Sequence, residues 1–193
     1  EVGKAGGLGS YGCYTNSPDE IAKTAANIRA LSNKPFGLNL WVSNHDRGTD
    51  PFPAEAFEAA WKIFAPLYAE LGVDKPKPPE RFFHPFEAQV EAVIEAQPAV
   101  FSFIFGIPKP FILAESPRRG IVTMGAATTL AEAEALDQAG VDVILASGME
   151  SAGHRPSFLA RAEDSLVGTL PLTRQITSRI KRPVVSSGGI GDR

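Results

Sequence analysis

The chain has few of the residues on which several large classes of protein depend. Its 193 residues include one cysteine, Cys13, so an internal disulfide and a multi-cysteine metal site are both excluded. Neither sign of charge dominates, since 19 lysines and arginines stand against 22 aspartates and glutamates for a net charge of −3, and we expect no nucleic-acid partner. No apolar run is long enough to cross a bilayer, so we expect no membrane partner. We interpret Cys13 as an inert, small residue.

What remains is the composition of an ordinary globular protein. Hydrophobic residues make up 44% and charged residues 21%, and a chain of this length buries roughly 70% of its unfolded surface. The first residues, "EVGKAGG", lack both an initial Met and the apolar core of a signal peptide. The last, "GGIGDR", come directly after a predicted strand. We therefore interpret the chain as part of a longer protein and expect a cytoplasmic location.

Six short apolar runs alternate with helical patterns along the chain. Most of the runs are unbroken rather than alternating, which is typical of parallel strands that are covered on both faces. Strand and helix in repeated alternation predict parallel βα units, as found in a doubly wound sheet or in a (β/α)8 barrel. The predicted strands cover residues 8–13, 36–42, 99–106, 120–126, 141–147 and 182–188.

The predicted helices carry clear start signals. In the first helix, Ser17 is the N-cap, Pro18 takes the first helical position and Glu20 completes a capping box. A later helix repeats this pattern, with Thr129 as its N-cap and Glu132 as the capping-box partner. The sequence therefore predicts that the two helices begin directly after Ser17 and Thr129.

One connection, residues 43 to 98, is much longer than the others. It contains aromatic residues at helical spacing, and we expect Pro66, inside that pattern, to kink or end the helix. A second helical pattern follows a proline-rich linker. We interpret 43–98 as a helical insertion or lid that covers the strand ends and separates the two parts of the βα domain, 1–42 and 99–193. The apolar stripe of its first helix, which we interpret as core, consists of Phe57, Trp61, Phe64, Tyr68 and Leu71.

Small and polar residues gather where the predicted strands end, which is where both candidate folds bind ligands. The fifth run leads into "ASGMESAGHRP" (146–156) and the sixth into "SSGGIGD" (186–192). The backbone N–H groups of such glycine-rich turns can hold a phosphate. His154 directly follows the first turn and can act as a general base near neutral pH. Asn39, near the predicted end of the second strand, either caps a backbone group or contacts a ligand.

The two other histidines, His45 and His84, lie in the long connection. Neither has a carboxylate or a second histidine at ligand spacing, so we assign neither to a metal. The sequence also lacks a Walker motif, a serine nucleophile elbow and a zinc signature. We therefore expect no metal cofactor.

Four sequence blocks occur in a characteristic order: "KAGGLGSYG" (4–12), "FGLNL" (36–40), "ASGMESAGHR" (146–155) and "VVSSGGIGD" (184–192). In content and order they resemble the nitronate monooxygenases, formerly called 2-nitropropane dioxygenases, over nearly the whole chain. The most specific part is Gly-x-Glu-x-x-Gly-His, at 148–154. That family usually reads Gln-Gly-x-Glu-Ala-Gly-Gly-His, and Ser147, Ser151 and Ala152 depart from it here. Ala152 restricts the backbone if that position needs a positive φ.

The resemblance implies an FMN-dependent (β/α)8 TIM barrel. This chain would hold about strands 2 to 7, with the helical insertion between its second and third strands. Two absent strands would remove part of the flavin pocket and leave unpaired edges, so we expect a homo-oligomer or aggregation. Asn39 would bind the flavin ring and His154 would be the catalytic base. The phosphate side of the flavin would lie along Gly148, Ala152, Gly153, Gly188 and Gly189.

The implied reaction is the oxidative denitrification of alkyl nitronates, with dioxygen as the oxidant and a carbonyl compound and nitrite as products. His154 would take the α-proton of a neutral nitroalkane, or hold a preformed nitronate as an imidazolium. Three alternatives stay open. An FMN-dependent enoyl-acyl-carrier-protein reductase would need a nicotinamide cofactor, and a barrel fragment would be non-catalytic. A phosphate-binding lyase or isomerase barrel would need a strand-end lysine for a Schiff base, which the sequence lacks.

Overall fold

The computed structural model describes residues 1–42, 53–78 and 82–191. Within these ranges a parallel sheet alternates with helices along the chain. The strands are β1 (Gly9–Gly12), β2 (Phe36–Trp41), β3 (Val100–Ile104), β4 (Val122–Ala127), β5 (Val143–Ser147) and β6 (Val184–Ser187). The helices are α1 (Pro18–Leu31), α2 (Ala54–Glu70), α3 (Phe86–Ala96), α4 (Pro110–Arg118), α5 (Leu130–Gln138) and α6 (Thr169–Arg179), with a short 3-10 turn at Ala162–Asp164.

The six strands pair in chain order, from β1 to β6, and every pair is parallel. The sheet curls into a half-barrel, so the predicted incomplete (β/α)8 architecture is confirmed. A doubly wound sheet reverses its strand order at a switch point, and the described strands show no such reversal. Each predicted strand is present, although every strand is shorter than predicted by one or two residues at one end or both, and β4 ends one residue later than predicted.

Alternate residues of each strand face opposite sides of the sheet, and the two sides are buried to different degrees. On β2, Leu38 and Leu40 are fully buried beneath the helices, whereas Asn39 and Trp41 face the concave side and are half-buried. The layer between sheet and helices is a continuous hydrophobic core. Its strand residues include Leu38, Leu40, Phe101, Phe103, Ile144 and Ala146.

Along β4, β5 and β6 the concave face of the half-barrel is mainly apolar but incompletely covered. Met124, Val143 and Leu145 are half-buried there, and Val185 is exposed. In a closed barrel such residues form an inner core of packed layers. The half-barrel therefore leaves an open apolar floor beneath the carboxyl ends of its strands.

The helix starts follow the sequence signals in one case and depart from them in the other. At α1 the full capping box forms, since the Ser17 side chain accepts from the Glu20 N–H and the Glu20 carboxylate accepts from the Ser17 N–H. At α5 only half forms. Thr129 Oγ1 accepts from the Glu132 N–H at 3.2 Å, but the Glu132 carboxylate turns away to other partners. The predicted box at Thr129 is therefore wrong in its second half.

The long connection contains two helices with different surroundings. In α3, Val90, Val93 and Ile94 are buried, and the helix packs against α1 and β2 as part of the outer layer. In α2 no residue is buried, so the interpretation of its aromatic stripe as core is wrong. The helix also continues through Pro66 to Glu70 instead of ending there. That 43–98 acts as an insertion or lid stays a prediction, and residues 43–52 and 79–81, with His45, lie outside the described residues.

Two features of the structure concern expectations drawn from the sequence: the surroundings of Cys13 and the length of the described helices. Burial raises the pKa of the Cys13 thiol to about 11, and the side chain is completely enclosed in the core. A thiol held in its neutral form is a poor nucleophile, which fits the interpretation of Cys13 as inert. No described helix combines the length and the hydropathy that a bilayer-spanning segment needs.

Candidate functional site

Asn39 lies on the concave face of β2, beside the corresponding residue of β3. Its Nδ2 donates to Ser102 Oγ at 3.0 Å, and the two residues are register partners in the sheet. The sequence predicts that Asn39 lies around the end of the second strand, and β2 continues two residues beyond it, to Trp41. Asn39 therefore lies two residues before the end of β2, and its side chain is on the concave side of the sheet, next to the open apolar floor.

An aromatic cluster surrounds His154 at the mouth of the half-barrel. The imidazole is exposed, and its ring meets Trp41 edge-on, with 4.7 Å between centroids and 61° between planes. Phe105 contacts both rings, at 5.1 Å from Trp41 and 6.2 Å from His154. On its other side Trp41 stacks on Tyr14 at 3.9 Å, and Phe83 lies 4.4 Å from Tyr14. The cluster thus joins the loops after β1, β3 and β5 to the last residue of β2.

Phe105 reaches this cluster through an unusual backbone conformation. Its φ is +66°, in the left-handed region that bulky residues rarely adopt. Gly106 follows with φ +155°, and a Cβ there would lie 3.3 Å from the Val42 carbonyl oxygen. Strained conformations of this kind cost roughly 1–3 kcal/mol and persist where surrounding structure fixes them. The loop after β3 is therefore strained at Phe105, the residue whose ring contacts His154.

The two glycine-rich turns lie on adjacent strands, as predicted, and two of their glycines are needed for packing. A Cβ on Gly148 would lie 2.0 Å from Thr169 Oγ1, and one on Gly188 would lie 2.8 Å from the Ser151 backbone nitrogen. Ser151 Oγ also donates to the Ser187 carbonyl oxygen at 2.7 Å, which ties the turns together. Close packing against α6 and between the turns thus explains Gly148 and Gly188 without a ligand.

The other two predicted glycines are open to the surroundings. Gly153 has φ +86° and a Cβ there would meet nothing within 4 Å, while at Gly189, with φ +68°, it would meet only the Glu150 Cβ at 3.5 Å. Ala152 has no positive φ, so the alanine imposes no strain at its position. Gly153 and Gly189 are therefore exposed positions on the two turns, each with the positive φ that one residue of an anion-binding nest adopts.

Glu150, inside the Gly-x-Glu motif, caps a helix that begins nineteen positions further along the chain. Its carboxylate accepts from both the N–H and the hydroxyl of Thr169, each at 2.8 Å. The N-cap residue of α6, Gly168, has no side chain with which to do so. The bond from the Thr169 hydroxyl, with the backbone bonds, lowers the pKa of Glu150 below its ordinary value. This carboxylate therefore has a structural role at a helix N-terminus.

The loop that carries His154 is fixed at its base by a buried carboxylate and a guanidinium. Glu132 is fully buried and accepts from the backbone N–H groups of Phe158 and Leu159, at 2.6 and 3.0 Å. Arg155 donates to the carbonyl oxygens of Ser147 and Ser165. Burial lowers the pKa of Arg155, and the charges of Glu132 and Glu150 oppose that shift. The chain that directly follows His154 is thereby held against β5 and α5.

The structure thus brings Asn39, His154 and the two turns to the carboxyl edge of one sheet. Sequence patterns missed the rings of Tyr14, Trp41 and Phe105 and the loop contacts of Glu132. Of these, only the "LNLW" block carried a signal, since Trp41 follows Asn39 by two residues and shares its face of the strand. Among described residues no group of histidines, cysteines and carboxylates is arranged to hold a metal ion.

Comparison with known proteins gives one consistent family. The sequence profile of the nitronate monooxygenase family matches residues 1–193. A nitronate monooxygenase of Paraburkholderia phytofirmans is 36% identical over 196 residues, covering 99% of this chain and 52% of that protein. One of Pseudomonas aeruginosa is 34% identical, covering 99% of this chain and 54% of that protein. The chain thus spans about half the length of the curated relatives it matches.

Solved structures agree on the architecture. A nitroalkane oxidase from Streptomyces ansochromogenes superposes with a TM-score of 0.75 at 28% identity, covering 95% of this chain and 51% of that one. FabK from Thermotoga maritima superposes with a TM-score of 0.68 at 24% identity, covering 99% of this chain and 46% of that one. The second likeness concerns the fold alone.

Proposed function

Because the chain belongs to the nitronate monooxygenase family, we propose that it carries the catalytic base and part of the cofactor site of an oxidoreductase that acts on alkyl nitronates. The proposed substrates are a small nitronate or nitroalkane and dioxygen, and the products a carbonyl compound and nitrite. One observation carries the proposal. His154, from the family motif, stands exposed beside Trp41 above the concave face on which Asn39 lies.

FMN is the cofactor that we propose for this site, and the residues present fit it. Asn39 offers a half-buried amide beside an apolar floor, which suits the polar edge of a flat, largely apolar ring. Gly153 and Gly189 offer unobstructed backbone with positive φ, which suits a phosphate group. The redox chemistry that FMN supplies when bound is the removal of electrons from the nitronate and their transfer to dioxygen.

His154 is proposed as the group that handles the proton. Its imidazole is exposed at the mouth, so a substrate can reach it. The nearby carboxylate of Glu150 is hydrogen-bonded to Thr169 and not to this imidazole. A neutral nitroalkane must lose its α-proton, which His154 can accept. A preformed nitronate has no such proton to lose, and His154 then attracts the anion as an imidazolium.

The test uses the protein expressed from its complete gene and compares it with His154→Asn. Asparagine keeps a hydrogen-bonding side chain but has no useful proton affinity. We expect turnover of a neutral nitroalkane to fall by about 10² to 10⁴-fold, the usual size of a general-base contribution, and turnover of its preformed nitronate to fall less. Cofactor content and melting temperature should match the parent protein.

Three results would contradict the proposal. FAD instead of FMN after denaturation, or no flavin after reconstitution, would remove the cofactor assignment. Equal losses on both substrates would show that His154 binds the anion and does not abstract a proton. NADH oxidation driven by an enoyl thioester, without oxygen uptake on nitronate, would favour the enoyl-acyl-carrier-protein reductase.

A further inference from the structure

We propose that Trp41 is a positioning residue that fixes the direction in which the imidazole of His154 points. The inference rests on the proposed function, since it concerns how the proposed base is aimed. It assigns to a strand-end tryptophan a role distinct from both substrate binding and folding.

The chain that follows His154 is fixed, but the histidine side chain is not enclosed by the loop itself. Arg155 is bound to the Ser147 and Ser165 carbonyl oxygens, which holds the residue after His154 in place. Gly153, the residue before it, lies in open space. The imidazole is exposed, so its rotamer depends on what it packs against. Among the described residues, its ring contacts are Trp41 at 4.7 Å and, more distantly, Phe105 at 6.2 Å.

Trp41 is itself held firmly from two sides. It is the last residue of β2 and pairs in register with Ile104 of β3. Tyr14 stacks on one face of its indole, with 3.9 Å between centroids and 13° between planes. Phe105 meets it edge-on at 5.1 Å and 65°. An indole held in this way cannot turn without moving its neighbours, so it provides a fixed surface for the imidazole.

The loop that carries Tyr14 is held by a buried residue of the outer helical layer. Gln89 of α3 is fully buried, and its Nε2 donates to the carbonyl oxygens of Tyr14 and Asn16, each at 2.8 Å. It also donates to the Cys13 carbonyl oxygen at 3.3 Å. The two amide hydrogens of Gln89 are thus shared among three carbonyl oxygens of one loop, which fixes the backbone of that loop. Gln89, Tyr14 and Trp41 therefore form a continuous line of contacts from α3 to His154.

A positioning role has a chemical consequence that a purely structural role lacks. Proton abstraction needs the imidazole nitrogen within hydrogen-bond reach of the α-carbon proton, whereas attraction of an anion tolerates a turned ring. Loss of the Trp41 surface should therefore reduce turnover of neutral nitroalkanes by about 10- to 100-fold, as small misplacements of catalytic groups do. Turnover of preformed nitronate should change by less than about threefold, because no C–H proton has to leave.

The experiment compares Trp41→Ala and Trp41→Phe in the flavin-loaded protein expressed from its complete gene. Phenylalanine keeps a ring edge for His154 and should restore most of the loss. Phe111→Ala, which removes an exposed ring of α4 that makes no described ring contact with Trp41 or His154, is the matched control and should change nothing. Each variant is assayed by oxygen uptake on a neutral nitroalkane and on its nitronate, with cofactor content and melting temperature measured in parallel. His154→Asn is included as the reference.

A second readout does not depend on activity. The protein is labelled with ¹³C-histidine, and the His154 signal is identified by its loss in His154→Asn. The ring current of an indole at 4.7 Å displaces this signal, so Trp41→Ala should move it and Phe111→Ala should not. An unmoved signal in Trp41→Ala would overturn the inference.

The outcomes separate the inference from the function on which it rests. If His154→Asn changes the ratio of the two activities but Trp41→Ala does not, only the inference is wrong. An equal rise in KM for both substrates would show that Trp41 contributes to substrate binding. A joint fall in activity, cofactor content and melting temperature would show that its role is structural. Either result overturns positioning. If His154→Asn leaves the ratio unchanged, the proposed base is wrong and the inference falls with it.

Discussion

Replacing Glu132 with glutamine tests whether this buried carboxylate fixes the loop that carries His154. One carboxylate oxygen accepts from the Thr128 N–H and hydroxyl, at 2.7 and 2.6 Å, and the other accepts from the Phe158 and Leu159 N–H groups. The amide oxygen of glutamine can serve one pair only. The amide nitrogen then faces a buried N–H group at the other pair, and Arg155 loses a neighbouring charge. One unsatisfied buried group costs about 1–3 kcal/mol, and the weakened charge-assisted bonds bring the total to about 2–4 kcal/mol.

The assay is urea unfolding of the protein expressed from its complete gene, followed by circular dichroism. Glu134→Gln is the matched control, because Glu134 is exposed on the same helix, and it should stay within about 0.5 kcal/mol of the parent protein. Glu132→Gln should unfold at a clearly lower urea concentration with an unchanged slope. Equal midpoints for the two variants would refute the account of Glu132 as the anchor of the loop.

Two further predictions concern the glycine-rich turns. Gly148→Ala places a Cβ 2.0 Å from Thr169 Oγ1 and 2.4 Å from Thr169 Cα, so we expect a loss of about 3 kcal/mol in urea unfolding. Gly191→Ala, where a Cβ meets nothing, should be near neutral, and similar midpoints for the two variants would contradict the packing argument. Folding lowers the pKa of Glu150, so its contribution is present above its ordinary pKa of 4.5 and is lost as the pH falls below it. The urea midpoints of Glu150→Gln and the parent should therefore converge below about pH 4.5, and a constant gap would count against the capping role.

The sheet and most helices could be predicted because their signals are local. Unbroken apolar runs and the Ser17 capping box depend on neighbouring residues only, and each has its expected counterpart in the structure. Glycine-rich turns on β5 and β6 were also predictable, since parallel strands in sequence order place their carboxyl ends side by side. The incomplete barrel then followed from the number of strands and the family resemblance.

The remaining features depend on contacts between residues that are distant in sequence. Helical spacing in α2 indicates an apolar stripe but cannot reveal what covers it, and the stripe proves not to be buried. A glutamate three residues after Thr129 satisfies the capping-box pattern, yet Glu132 binds the loop at Phe158 because that loop offers unsatisfied N–H groups. The rings around His154 come from separate strand ends, so no single spacing predicts them. For the same reason glycine content could not separate Gly148, which is needed for packing, from the open Gly153.

The alternation of side chains on β2 has a consequence for how such a protein can change during evolution. Leu38 and Leu40 belong to the core beneath the helices, whereas Asn39 and Trp41 belong to the mouth. Under the proposed function, two kinds of selection therefore act on interleaved positions of one six-residue segment. Because substitutions on opposite faces of a strand share few contacts, their effects should be nearly additive. Substitutions at Asn39 and Trp41 can thus change substrate specificity, while Leu38 and Leu40 are kept and preserve the stability of the fold.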